Sequence, residues 1–388
     1  MFLETLIGKD TNIKSEATNC PSAQQFMNNI SMKIAEDHLA TGSSPPTTFL
    51  SLSQYILEFF LPYATKEVAS INAPMQSCAL NPLSTHILKE FLQKFLPFIT
   101  GMCNASLMQG CLPINQRHAI IMPSLRKVGR AQADVTNYRP MSNLTFISKV
   151  VERLVCHQLV SFLENHNLIL IPQSAYLRSH STESEILKIV SDVYMAADRV
   201  EVTVLGLLYL SAAFDTDDHD ILIDRFQSLF GIHVVVLSWI RFFISERTQT
   251  VSYAGQQSHN SRVICKSPAR NYTGAVLFLL YTSDILGIAQ WHGINAQHSY
   301  TDDTQVYFHL KSADIRVLEL TSCIVWVNSC MTSNRQKLIA DEMQFMILGT
   351  HQQLTKINRN LIQLARDYTG LPTFDRHKLM FIYTVFST

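Results

Sequence analysis

Two adjacent carboxylates, Asp302 and Asp303, follow Tyr300 and Thr301 and lie between two short apolar, β-leaning stretches, 294–299 and 304–310. Like charges repel, so side-by-side acids at a tight turn are costly to place unless a divalent cation shares them. The chemistry offered is cation binding by oxygen ligands where two strands meet. A solvated Asx-type turn is the alternative that needs no ligand. Upstream, Asp215, Asp217, Asp218 and Asp220 cluster around His219. Asp217, Asp218 and Asp220 suit the start of a helix, where the helix dipole favours negative charge, better than they suit a metal.

These acids need a scaffold. The run 202–210 is continuously apolar without a helical period, which predicts a central buried strand ending just before Asp215. A strand there and a hairpin at 294–310 can lie side by side, bringing their ends together. Helices are expected over 80–112 (stripe Leu88, Phe91, Leu92, Phe95, Leu96) and over 148–165 (Val151, Leu154, Val155, Leu159). Another should follow His180-Ser181-Thr182-Glu183, where Thr182 and Glu185 have capping-box spacing and Ile186, Leu187, Ile189, Val190 and Val193 form the buried face. Helices over 274–289 and 315–334 and a closing strand over 344–348 complete the pattern, with Phe345, Met346, Ile347 and Leu348 as core. Arg139-Pro140 marks an extended segment. The order suits an α+β fold with a small antiparallel sheet and helices on one face.

The 388 residues are 47% hydrophobic, enough for one large or two medium cores. Charged residues are 16%, against a usual share of about 25%. The formal net charge of +0 gives no overall support to a nucleic-acid partner. Local basic clusters remain, at Arg126, Lys127 and Arg130 and at Lys149 and Arg153. The eight cysteines include no C-x-x-C pair, and residues 1–10 lack a basic-then-apolar pattern. They read as reduced, mostly buried thiols without zinc-ligand spacing. The longest apolar run, 275–289, is short for a membrane span and carries Asp284, so it reads as a buried helix.

Five stretches together resemble the reverse transcriptase of non-LTR (LINE-type) retrotransposons, of the jockey and chicken-repeat-like clades. Asn137-Tyr138-Arg139-Pro140-Met141-Ser142-Asn143-Leu144 is similar to the family's NYRPISNL, and His180-Ser181-Thr182-Glu183 to its HSTE. Ser211-Ala212-Ala213-Phe214-Asp215-Thr216 with Asp218-His219-Asp220-Ile221-Leu222 is similar to SAAFDTVDHDIL, and Tyr300 to Thr304 to YADDT. The segment from Leu96 to Pro113 resembles the stretch that precedes that polymerase. The resemblance implies a right-hand polymerase with fingers and an antiparallel palm sheet, extending a DNA primer on an RNA template with dNTPs and two Mg2+ ions. It implies Asp302 and Asp303 as catalytic metal ligands, Phe214 as the steric gate against a ribose 2′-hydroxyl, and Arg139 at the nucleotide or template. His180 reads as a structural hydrogen-bonding group at a helix start. The nucleus or cytoplasm follows as the expected place of action, with no membrane partner.

The chain departs from the family at chemistry positions. Where the family has LLDLSAAFD, this chain has Tyr209 in place of the acid. The family's Gln and Gly in GVPQGSVLGPLLF are Ala269 and Arg270, its NADKTQ lysine is Glu342, and its fingers arginine is displaced to Arg178. The expectation is a degenerate copy with an incomplete catalytic site, in which Asp215 lies too far along to replace Tyr209. The expected organisation is a poorly ordered leader over 1–70 (irregular over 1–50), a helical extension over 71–136, fingers and palm over 137–350 and a divergent tail over 351–388. The thumb is largely missing and no endonuclease is recognisable.

Overall fold

The computed structural model describes residues 20–41, 45–46, 48, 50, 52–71, 78–127, 129–168, 182–210, 218–245, 247–263, 272–294, 296–300, 303–311, 316–338, 343–354 and 379–383. The chain opens with α1 (Ala23–Ala40), α2 (Thr65–Ser70), α3 (Thr85–Glu90) and α4 (Leu92–Gln109). The expected irregular leader is corrected in its middle. Ser22 and Gln25 form a reciprocal capping box that starts α1. Phe26 and Met27 are then buried, the Phe26 ring meeting Tyr138 and Tyr253 edge-on at 4.9 and 4.8 Å. The helix expected over 80–112 is interrupted at Phe91, so Leu88 and Leu96 are buried while Phe91 is exposed. Gly110 ends α4 at φ +63°, and a Cβ there would stand 2.8 Å from the Val235 carbonyl oxygen.

A first sheet holds β1 (His118–Leu125) and β2 (Tyr138–Asn143), with β4 (Thr248–Tyr253), β5 (Gln256–Gln257) and β6 (Ser261–Arg262). β1 pairs antiparallel with β2 and parallel with β4. Pro123 and Pro140 share one rung, which confines both missing N–H donors to a single position of the ladder. α5 (Phe146–Asn165) follows, capped by Thr145, with Val151, Leu154, Val155 and Leu159 fully buried as the stripe predicts. α7 (His219–Ser228) and α8 (Val234–Ile244) pack into the same core, as does the half of α9 (Tyr272–Tyr281) that faces it. These numbers leave α6 (Thr182–Asp198) and β3 (Val202–Tyr209) to the second sheet.

That sheet has the order β10-β9-β3-β8-β7, built with β7 (Ala296–Tyr300), β8 (Asp303–Leu310), β9 (Gln344–Gly349) and β10 (Leu379–Tyr383). β3 is central, as its apolar run predicts, with β8 and β9 antiparallel on either side. One face packs on α9, α10 (Asp284–Trp291) and α11 (Arg316–Ser333), where Val204, Leu208, Val306 and Phe308 meet Phe278, Ile288 and Val327. α6 lies against the other face, and burial on both sides accounts for the unbroken apolar run of β3. The expectation of an antiparallel sheet is corrected at one edge. β10 runs parallel to β9, an arrangement that needs a long crossover, and the chain between them (350–378, which includes α12, His351–Leu354) is long enough. The fold is mixed α/β.

The buried face expected for α6 is also corrected. Val193 is buried, but Ile186, Leu187 and Val190 are 58%, 67% and 40% exposed. Asp192 and Ala196 turn inward instead, because Tyr307 on β8 holds the Asp192 carboxylate. The apolar run at 275–289 is buried as read: Thr273–Trp291 is long and apolar enough to cross a membrane, yet 83% of it lies inside the fold.

Candidate active site

Register decides what meets at the Asp-Asp turn. Tyr300 and Asp303 face each other across the β7–β8 hairpin. On its other side Asp303 lies opposite Tyr209, the last residue of β3. Directly opposed residues in an antiparallel pair share a face, with Cβ atoms about 4.5–5.5 Å apart. The side-by-side placement of the central strand and the hairpin follows the sequence reading. It sets Tyr209 at the position that a second strand-borne acid would occupy. Asp302 itself lies outside the described residues, as do Phe214, Asp215, Asp217, Arg178, His180, Ala269, Arg270 and Glu342.

Positions 203, 205, 207 and 209 of β3 alternate onto the same face as 303, 305, 307 and 309 of β8. Further along that face several polar groups pair with one another, while Gln305 Oε1 is buried without a hydrogen-bond partner. Tyr307 donates its hydroxyl to Asp192 Oδ2 at 2.6 Å, and Lys188 Nζ donates to Asp192 Oδ1 at 2.6 Å. Thr203 Oγ1 and His309 Nδ1 are 2.9 Å apart. Burial pushes the Asp192 carboxyl up, but the Lys188 and Tyr307 hydrogen bonds outweigh it and hold it below the ordinary carboxylate value. Burial, then the Arg199 charge, lowers His309. Asp192 does not join the Tyr209–Asp303 pair. Its anchor, Tyr307, is four residues along the strand from Asp303, about 13 Å at the usual rise. Among the described residues no group of three His, Cys, Asp or Glu side chains could hold a metal ion.

Asp218 is the N-cap of α7, accepting from Asp220 N (3.0 Å) and Ile221 N (3.2 Å), and Asp220 sits in the first turn, so both serve the helix start as read. Arg139 is exposed on β2, opposite Ser124 in the first sheet, and shares no sheet with the hairpin. Arg126, Lys127 and Arg130 are exposed near the β1–β2 connection. Lys149 does not extend a basic groove: it is buried, donates to Asn143 Oδ1 at 3.3 Å, and burial lowers its pKa. Cys78, Cys103, Cys156, Cys323 and Cys330 are buried and not in disulfides, and neither are Cys20 and Cys111.

Among the buried charges that the sequence reading missed are Glu152 and Arg247, which are 2% and 3% exposed. Burial raises Glu152 to about 7, against the lowering pull of the Arg247 charge, and burial lowers Arg247. The signal for Glu152 was present: it follows Ser148 by one helical turn and lies on the same stripe as Val155 and Leu159.

No family model matches the chain. Over 234 residues, 59% of its length, it is 25% identical to the RNA-directed DNA polymerase from mobile element jockey of Drosophila melanogaster, of which it covers 25%. The chain is similar to mobile-element RNA-directed DNA polymerases. The probable RNA-directed DNA polymerase from transposon BS of the same fly is 24% identical over 283 residues, 70% of this chain and 30% of that protein. The corresponding protein of transposon X-element is 25% identical over 198 residues, 51% of this chain and 22% of its own length. The resemblance to non-LTR polymerases carried by the five motifs is borne out by these relatives. The chain spans less than a third of the length of these polymerases.

Proposed function

We propose that this chain carries the fingers and palm of a right-hand reverse transcriptase of a non-LTR retrotransposon, with its catalysis impaired. The observation that carries the reading is the pairing of Tyr209 with Asp303 at the Tyr-x-Asp-Asp turn. On this reading the sheet of β3, β8 and β7 is the palm and the sheet of β1 and β2 belongs to the fingers. RNA template, DNA primer and dNTP are the partners. Phe214 gates the sugar, and Arg139 contacts template or triphosphate. The work would be done at a chromosomal target in the nucleus.

Asp302 and Asp303 would hold Mg2+. When bound, such ions would supply activation of the primer 3′-oxygen and stabilisation of the triphosphate, which calls for carboxylates converging from two strands. The donor set does not fit two ions. Tyr209 brings a phenol in place of a carboxylate, and an ordinary phenol (pKa about 10) is no bridging anion at neutral pH. Two acids on one turn are one strand short.

Primer extension with Mg2+ on an RNA template, comparing the native chain with Tyr209→Asp, tests this. The reading expects little or no extension by the native chain and a gain with Tyr209→Asp. Full extension by the native chain would sink the missing-acid argument. A second reading, a polymerase-fold remnant that at most binds nucleic acid, is favoured by Tyr209 together with Ala269, Arg270 and Glu342. It expects neither protein to extend, and filter binding across a salt series then tells phosphate contacts from inertness by the slope.

A further inference from the structure

Away from the hairpin, at the base of the first sheet, one cationic group is incompletely satisfied. Arg247 stands between α8 and β4 and is 3% exposed. Its Nη1 donates to the Phe243 carbonyl at 3.2 Å, and its guanidinium lies 5.0 Å over the Phe243 ring. Its Nη2 is buried without a hydrogen-bond partner. An unsatisfied buried donor on a charged group is among the costlier defects a core can carry. The Glu152 charge reaches Arg247, but Nη2 finds no acceptor there, and the Arg117 charge adds to the positive field.

Arg247 lines a partly open cavity of about 20 Å3, with Ser142, Thr248 and Gln249 as polar walls and Ala119 and Leu144 as apolar ones. Roughly 10–15 Å3 admits one water-sized group, so the cavity takes a single oxygen and not a whole oxyanion. A guanidinium edge with a hydroxyl beside it selects an anionic oxygen, and arginine suits phosphate because its donors form a planar fork. The partial opening leaves the remainder of such a group outside.

The site is also tied to a neighbouring segment. Val263 N donates to the Arg247 carbonyl at 2.9 Å, and Thr273 Oγ1 donates to the Glu152 carbonyl at 2.9 Å. Arg247 and Glu152 therefore hold the two ends of the stretch 264–272, whose interior departs from the family at Ala269 and Arg270.

We propose that this cavity is an anion site that takes one phosphate oxygen, from a nucleic-acid strand or a nucleoside triphosphate, with Arg247 as donor and Ser142 as the supporting hydroxyl, the Thr248 hydroxyl being paired with His118 Nδ1 at 2.8 Å. The choice of phosphate source rests on the polymerase reading; the anion site itself does not.

The test is thermal unfolding of the full chain, at constant ionic strength, with inorganic phosphate, a dNTP or a primer–template added. The native protein, Arg247→Gln and Ser142→Asp are compared. Ser142→Asp keeps the arginine and sets a fixed carboxylate at the cavity wall, so it reports on the site even if Arg247→Gln folds poorly. The expected result is a midpoint that rises with phosphate in the native protein and is indifferent to it in both variants. For a strand phosphate, Arg247→Gln should also lower the slope of log K against log salt by about one. An unchanged slope with a lost dNTP response assigns the triphosphate instead. A phosphate response that depends on Arg247, with no response to strand or dNTP, keeps the anion site and overturns its polymerase role. No response in the native protein means that water alone fills the cavity, and a response that survives in both variants places the anion elsewhere; either result overturns the proposal.

Discussion

Glu152→Gln should make this protein more stable above neutral pH and leave it unchanged in acid. The side chain is buried, its Oε1 accepts from Ser148 Oγ at 3.2 Å, and burial lifts its pKa from 4.5 to about 7. Below pH 4.5 the acid is protonated in both folded and unfolded chains and contributes fully. Between 4.5 and about 7 the folded state holds the proton that the unfolded state has released, so stability falls as pH rises through this window. At about 1.4 kcal/mol per unit, the loss amounts to about 3 kcal/mol by pH 8. Glutamine keeps the shape and the Ser148 acceptor without the charge, so it should recover most of that loss. Trp239 reports on the same core: it is fully buried and stacks on Phe243 at 5.1 Å, one turn before Arg247. Its fluorescence during urea unfolding at pH 5 and pH 8.5 is the assay. Coincident curves at pH 5 and a higher midpoint for the variant at pH 8.5 are expected. A variant less stable than the native protein at pH 8.5 would refute the reasoning, because attraction to Arg247 would then outweigh burial.

Three further changes probe the elements that carry the two sheets. Gly231→Ala should cost at least about 2 kcal/mol, since Gly231 sits at φ +65° and a Cβ would stand 1.8 Å from the Tyr55 carbonyl oxygen; an unchanged unfolding midpoint would mean that residues 53–58 do not dock there. Tyr307→Phe should cost about 1–3 kcal/mol by removing a donor from the nearly buried Asp192. Because Asp192 is held below its ordinary value, its contribution is present above that value and lost as pH falls, so the same variant should also lose less stability on acidification. Asp218→Ala should cost about 1 kcal/mol by uncapping α7, measured by thermal unfolding, with no change in metal affinity if Asp218 serves only the helix.

The parts legible in the sequence were those set by local pattern. The apolar run of β3, the two stretches around Asp302-Asp303 and the stripe of α5 each encode burial within a few residues, and each forms where the pattern puts it. What could not be read depends on partners far along the chain. Asp192 turns inward because Tyr307, 115 positions away, donates to it, and Ile186 and Leu187 are left outside as a result. The parallel pairing of β10 with β9 has no local signature, since a strand's direction is fixed by its crossover. The α1 helix did have one, the Ser22–Gln25 box, but without a strong apolar stripe to follow it.

The site divides the same way, and the division bears on what a substitution at position 209 would do. The β3–β8 register is fixed by Val204 and Leu208 packing with Val306 and Phe308 over the helices, and by Thr203 meeting His309 at the far end. A one-residue slip would turn these side chains out of the core. None of these contacts involves residue 209, which ends the strand. The pairing that sets position 209 against Asp303 is therefore independent of what residue stands there. An acid placed at 209 would keep this register but stand directly opposite Asp303, where like charges repel unless a cation lies between them. On the proposed reading, Tyr209→Asp should therefore keep the scaffold but lower stability in the absence of metal, and added Mg2+ should reverse the loss; a midpoint indifferent to Mg2+ in the variant would refute this.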